Sequence, residues 1–147
     1  MTAAKQTVPV TALAVGEFEF DRALLQSIFR DLGWRLYEAR DRRRAMQCLE
    51  RNPVQVVIAE SDLPNWNWKM VLRDLRGMEL PPQLIVTSRI ADDRLWSEVL
   101  NIGGYDVLPQ PLERDEVERV IAAARRRHGI EPARAASWSA LNTSNVA

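Results

Sequence analysis

Residues 54–64 read Val-Gln-Val-Val-Ile-Ala-Glu-Ser-Asp-Leu-Pro. The first six, Val54 to Ala59, are almost continuously apolar and rich in β-branched side chains, as in a strand covered on both faces. The run then breaks into Glu60-Ser61-Asp62 ahead of Pro64. That is a central strand whose carboxyl end opens onto polar chemistry.

Four more such runs lie to either side: Val10 to Val15, Trp34 to Ala39, Leu84 to Thr87, and Tyr105 to Leu108. The first and fourth of the five share the continuous apolar character, whereas Trp34 to Ala39 alternates and suits a sheet edge. Between them the period becomes helical. Leu24, Leu25, Ile28, Phe29 and Leu32 form one stripe, with Gly33 as its stop. Asp41 can cap a helix carrying Ala45, Cys48 and Leu49. Trp68, Val71, Leu72 and Leu75 recur at helical spacing, Asp92 or Asp93 opens a helix through Leu100, and the last helix covers about Arg114 to Arg127. Strand alternating with helix predicts a doubly wound α/β fold, with helices on both faces of a five-stranded parallel sheet. Residues 1–9 read as an N-terminal extension, 10–128 as one domain, and 129–147 as a tail, disordered or docked through Trp138 and Leu141.

Composition excludes several classes of function. The chain has 147 residues, 46% of them apolar, and no apolar run long enough to cross a membrane. No secretory signal is visible in residues 1–10. One cysteine, Cys48, and one histidine, His128, exclude an intrachain disulfide, a cysteine-rich metal site and a histidine-pair zinc motif. The formal net charge is zero, which gives no field to draw nucleic acid or an anionic membrane. A cytoplasmic globular domain is expected. Eighteen arginines stand against two lysines, Lys5 and Lys69; Arg42-Arg43-Arg44 and Arg125-Arg126-Arg127 read as solvated helix ends, the second favoured by the helix dipole.

Ligands of such sheets sit beyond the strand carboxyl ends, where strand order reverses; with the order 2-1-3-4-5 that point lies between the first and third strands. The residues there are Gly16-Glu17, Glu60-Ser61-Asp62, Thr87-Ser88 and Pro109-Gln110-Pro111. A lone Gly16 followed by Glu-Phe-Glu-Phe is no phosphate-cradling loop, so dinucleotide and P-loop chemistry are not expected. No nucleophile–base pair is visible, and the chain is not expected to be an enzyme.

From Thr11 to Arg127 these positions resemble the receiver domain of bacterial two-component response regulators, a flavodoxin-like fold. The resemblance is carried by Glu60 four residues before Pro64, by Thr87-Ser88 closing the fourth strand, and by Gly103-Gly104-Tyr105-Asp106 followed by Gln110-Pro111. It implies a phosphoacceptor aspartate at position 60, two acids after the first strand that help hold Mg²⁺, and a lysine at position 110. This sequence has Glu60, Gly16-Glu17 and Gln110 there, with Thr87 retained and Val107 at the position of the aromatic switch. The resemblance is therefore to a degenerate pseudo-receiver, with magnesium binding expected to be weak or absent. Glu60, a methylene longer than aspartate, is expected to project towards Thr87. There it either imitates a phosphorylated state or is a vestigial acid. Asp62 reads as a turn residue, with a minor claim to be a substitute acceptor.

The leading expectation is a stand-alone signalling module, with no effector domain after Arg127, that acts through a protein partner or a homodimer without phosphorylation. In receivers the fourth helix, fifth strand and fifth helix form the signalling face, which here offers Trp96, Tyr105 and Arg119. The alternative is a small-ligand sensor, with Phe18, Phe20 and an exposed Trp66 rimming a cleft over the former acidic pocket. A working phosphoacceptor with unusual residues comes third. The resemblance also implies a cis peptide bond between Gln110 and Pro111.

Overall fold

A computed structural model describes residues 8–129. The expected extension and tail fall largely outside the described residues, and the expectations for Trp138 and Leu141 fall wholly outside them.

Ten elements alternate along the chain: β1 (Thr11–Val15), α1 (Arg22–Leu32), β2 (Arg35–Ala39), α2 (Arg42–Arg51), β3 (Val56–Glu60), α3 (Trp68–Arg76), β4 (Gln83–Ser88), α4 (Asp93–Ile102), β5 (Asp106–Pro109) and α5 (Arg114–Arg127). The strands form one parallel sheet in the order β2-β1-β3-β4-β5. All six residues of β4 and the first four of β3 are buried, because helices cover both faces of these central strands.

Strand alternation sorts the core into two layers. Leu13, Val15, Val57, Ala59, Leu84, Val86 and Val107 point towards α2, α3 and α4. Ala12, Ala14, Val56, Ile58, Ile85 and Leu108 point towards α1 and α5. Burying each Val, Leu or Ile contributes about 1.5–3 kcal/mol before chain entropy is counted, so the two layers hold the strand ends in fixed register. Phe29 and Trp34 add an edge-to-face pair, 5.5 Å between centroids, beneath α1.

The helix ends follow the chemistry of their sequences. Asp41 and Asp92 accept the Arg44 and Leu95 backbone N–H groups, as expected of helix caps. Asn67, not foreseen as a cap, does the same for Met70. α1 stops at Gly33, in the left-handed region at φ 70°. The Gln110–Pro111 bond is cis.

Candidate functional site

The carboxyl ends of β1, β3, β4 and β5 surround an open cleft of about 870 Å³. β3 and β4 are in register with Glu60 beside Thr87, and both residues lie on the α1/α5 side of the sheet by strand alternation. β1 delivers Gly16 and Glu17, and β5 delivers Gln110. Gly16, Glu17, Glu60, Thr87 and Gln110 all line the cleft. The turn after β1 and the ends of β3, β4 and β5 thus bring the five sequence-identified positions together.

Glu60 does not point where expected. Its carboxylate turns back over the end of β1, where Oε1 accepts the Glu17 backbone N–H at 3.0 Å and Oε2 accepts a long 3.4 Å bond from the Gln110 amide. Thr87 Oγ1 is buried and has no hydrogen-bond partner among the described residues. The reason lies at Gly16. A Cβ there would stand 2.8 Å from Glu60 Cγ and Cδ and closer still to the carboxylate, so only glycine leaves the space that Glu60 fills. Gly16 also has φ 132°, which side-chain-bearing residues rarely adopt. The course of the Glu60 side chain and the absence of a side chain at Gly16 are therefore sterically interdependent.

This arrangement does not fit magnesium. Gly16 contributes no side-chain oxygen, one Glu60 oxygen is held by a backbone N–H, and among the described residues no three Asp, Glu, His or Cys side chains converge on a metal-sized point.

The expected aromatic rim over the cleft is not formed. Phe20 lines the cleft and is 74% exposed. Phe18 and Trp66 are buried, 2% and 3% exposed, in the two opposite core layers. Phe18 takes a positive φ of 48°, which turns its ring into the α1/α5 layer while its carbonyl accepts the Asp21 and Arg22 N–H groups. Trp66 drops beneath α3 because its indole Nε1–H finds Asp74 Oδ2 at 2.8 Å, and Arg42 Nε donates to the same oxygen at 2.8 Å. Burial raises the Asp74 carboxyl, but the bonds from Arg42 and Trp66 and the charges of Arg42 and Arg73 outweigh it and hold the group below the ordinary carboxylate range.

Three contributors to the site were not singled out from the sequence. Asp21, buried at the start of α1, accepts the Leu112 N–H at 3.0 Å and ties the β5–α5 loop to the β1–α1 turn. Arg89 lies 5.3 Å from the Phe20 ring centroid and, with Arg40, lines the cleft. Both arginines follow strand carboxyl ends, which is the signal that could have found them. Asp62 is exposed and accepts a 3.3 Å bond from Ser61 Oγ.

On the α4–β5–α5 face, Trp96 is 49% exposed and its Nε1–H donates to Asp106 Oδ1 at 3.0 Å. Leu100 and Ile102 are exposed beside it on α4, Arg119 is exposed on α5, and Tyr105 is partly buried.

No family model matches the sequence. Two curated proteins do: the probable transcriptional regulatory protein TcrX of Mycobacterium tuberculosis, 29% identical over 124 residues, and Protein PetR of Rhodobacter capsulatus, 30% identical over 119 residues. The matches cover 83% and 81% of this chain, which spans about half the length of each relative, 52% and 50%. Among solved structures, the signal receiver domain of an HD domain-containing protein from Pseudomonas fluorescens superposes with a TM-score of 0.71 at 24% identity, covering 82% of this chain and 97% of that one. The receiver domain of the Saccharomyces cerevisiae response regulator Ssk1, solved with the phosphotransfer protein Ypd1, gives 0.71 at 14% identity over 82% and 92%. The chain has the fold of a response-regulator receiver domain. Among the described residues no helix is long and apolar enough to cross a membrane.

Proposed function

We propose that this chain is a pseudo-receiver: a cytoplasmic two-component signalling domain that acts by binding protein without accepting a phosphoryl group and without catalysis of its own. The observation that carries the reading is the Glu60 side chain folded over Gly16 and bonded to the Glu17 N–H. Phosphoryl transfer in this fold needs positive charge positioned on the transferring oxygens. Here the lysine position holds a neutral Gln110, 3.4 Å from Glu60, and the acids make a poor magnesium cradle. The Glu60 carboxylate, at the position of the phosphoacceptor, occupies the space where a metal-binding side chain would stand.

Output through protein contact is supported by the exposed apolar residues Trp96, Leu100 and Ile102 on α4 and the exposed Arg119 on α5. The co-crystallised Ssk1 receiver shows that a domain of this fold can dock onto a protein. A homodimer through this face predicts concentration-dependent sedimentation that Trp96→Ala abolishes; a monomer at every concentration would leave a different protein as the partner.

The loss of phosphoryl chemistry is tested by titrating the ¹⁵N-labelled protein with Mg²⁺ and beryllium fluoride, a phosphoryl mimic. The amides of Gly16, Ser88 and Gln110 should stay unmoved. Saturable shifts at these amides, lost in Glu60→Ala, would overturn the proposal.

A further inference from the structure

We infer that the cleft at the carboxyl end of the sheet receives a lysine or arginine side chain that a protein partner presents between apolar neighbours. The inference rests on the protein-binding reading above and names the chemistry of the partner.

Charge is the first support. Glu17, Glu19, Glu60 and Asp62 line the cleft against Arg40 and Arg89, and Asp21 adds a further carboxylate already bonded to the Leu112 N–H. Among the described residues no ion pair joins either arginine to any of these acids. Arg89 lies over the Phe20 ring instead. Among the described residues Glu60 meets no cation: one oxygen has a backbone N–H, the other only a long bond from a neutral amide. An anion entering here meets an excess of like charge, whereas a cation meets an unneutralised carboxylate.

The second support is independent of charge. Thr87 lines the same cleft, and its fully buried Oγ1 has no hydrogen-bond partner among the described residues. Buried hydroxyls are nearly always bonded, so an unpartnered one beside an open cleft points to a polar visitor. An ammonium or guanidinium carries several donors, enough to serve Glu60 Oε2 and a second polar group such as Thr87 beside it. Register pairing puts those two residues side by side on β4 and β3.

The third support selects a polypeptide over a free cation. Phe20 and Ile90 line the cleft and are each 74% exposed. Large apolar side chains beside a charged floor suit a segment in which a cationic residue is flanked by apolar ones.

The probes are acetylated, amidated Leu-Lys-Leu, its Leu-Gln-Leu counterpart, and spermidine, each titrated into the ¹⁵N-labelled chain. The Leu-Lys-Leu peptide should shift the Gly16, Glu17, Ser88 and Gln110 amides saturably. Leu-Gln-Leu should bind about fivefold more weakly, the ratio expected of one partly exposed ion pair, and Glu60→Gln should lose the same factor towards Leu-Lys-Leu. Equal binding of the two peptides to the wild-type chain would overturn the inference, as would shifts confined to the Trp96 face. Spermidine binding as tightly as Leu-Lys-Leu would also overturn it, because the apolar rim would then contribute nothing. If Leu-Lys-Leu fails while beryllium fluoride leaves the site unmoved, this inference falls and the pseudo-receiver reading stands.

Discussion

The interlock between Gly16 and Glu60 can be measured as a coupling energy. Gly16→Ala adds a Cβ at a position with φ 132°, at a strain cost of about 1–3 kcal/mol. The same Cβ would fall 2.8 Å from Glu60 Cγ and Cδ, so the carboxylate must swing away and give up the 3.0 Å bond from the Glu17 N–H. A charge-assisted bond contributes about 1.5–3 kcal/mol, and the lower end applies here because both partners reach solvent. Gly16→Ala should therefore destabilise the wild-type fold by about 3 kcal/mol. In a Glu60→Ala background only the backbone strain remains, and the same change should cost about 1–1.5 kcal/mol less. Urea denaturation of the four members of this cycle, followed by tryptophan fluorescence, reads the difference directly. If the two substitutions add to within about 0.5 kcal/mol, the claim that Glu60 depends on the missing side chain at Gly16 is wrong.

Two further outcomes follow from buried polar groups. Trp66→Phe removes the indole donor to Asp74 and should cost about 1–2 kcal/mol at neutral pH; because the Asp74 carboxyl lies below its ordinary value, its contribution is present above about pH 3.9 and fades as pH falls through the folded value, so the penalty should shrink in acid urea titrations. Burial and the charge of Arg125 push the His128 imidazole below its ordinary value, against a hydrogen bond with the Leu80 backbone; the unfolded chain then takes up the proton first, and stability should fall as pH drops through about 6.5, a slope that His128→Gln should flatten in thermal melts.

Much of the fold was legible because burial on both faces turns β1, β3 and β4 into unbroken apolar runs, and because a single stripe marks each helix. Arg114–Arg127 and Gly33 coincide with their expected positions for that reason. The five positions around the cleft were legible too, since strand ends in a parallel sheet converge wherever the strand order reverses. What the sequence hid was direction. Trp66 sits in a polar loop, and whether its ring lies outside or beneath α3 depended on Asp74 being eight residues on, facing back. Phe18 follows a glycine turn, and its inward ring needed a positive φ that phenylalanine gives no sign of adopting. The course of Glu60 was set by an atom that Gly16 lacks, 44 residues upstream, so no reading of residues 54–64 alone could have found it.

Loss of phosphoryl chemistry is the central claim, and intact-protein mass spectrometry after incubation with acetyl phosphate and Mg²⁺ tests it most directly. The unmodified chain should keep its mass. Glu60→Asp alone should keep it as well, because the lysine and the second acid are still missing and such groups act as a unit. Gly16→Asp, Glu60→Asp and Gln110→Lys together restore the full set of charges and are the combination expected to regain some acceptance. Addition of a phosphate to the unmodified chain, lost on replacing Glu60 or Asp62 by alanine, would contradict the account.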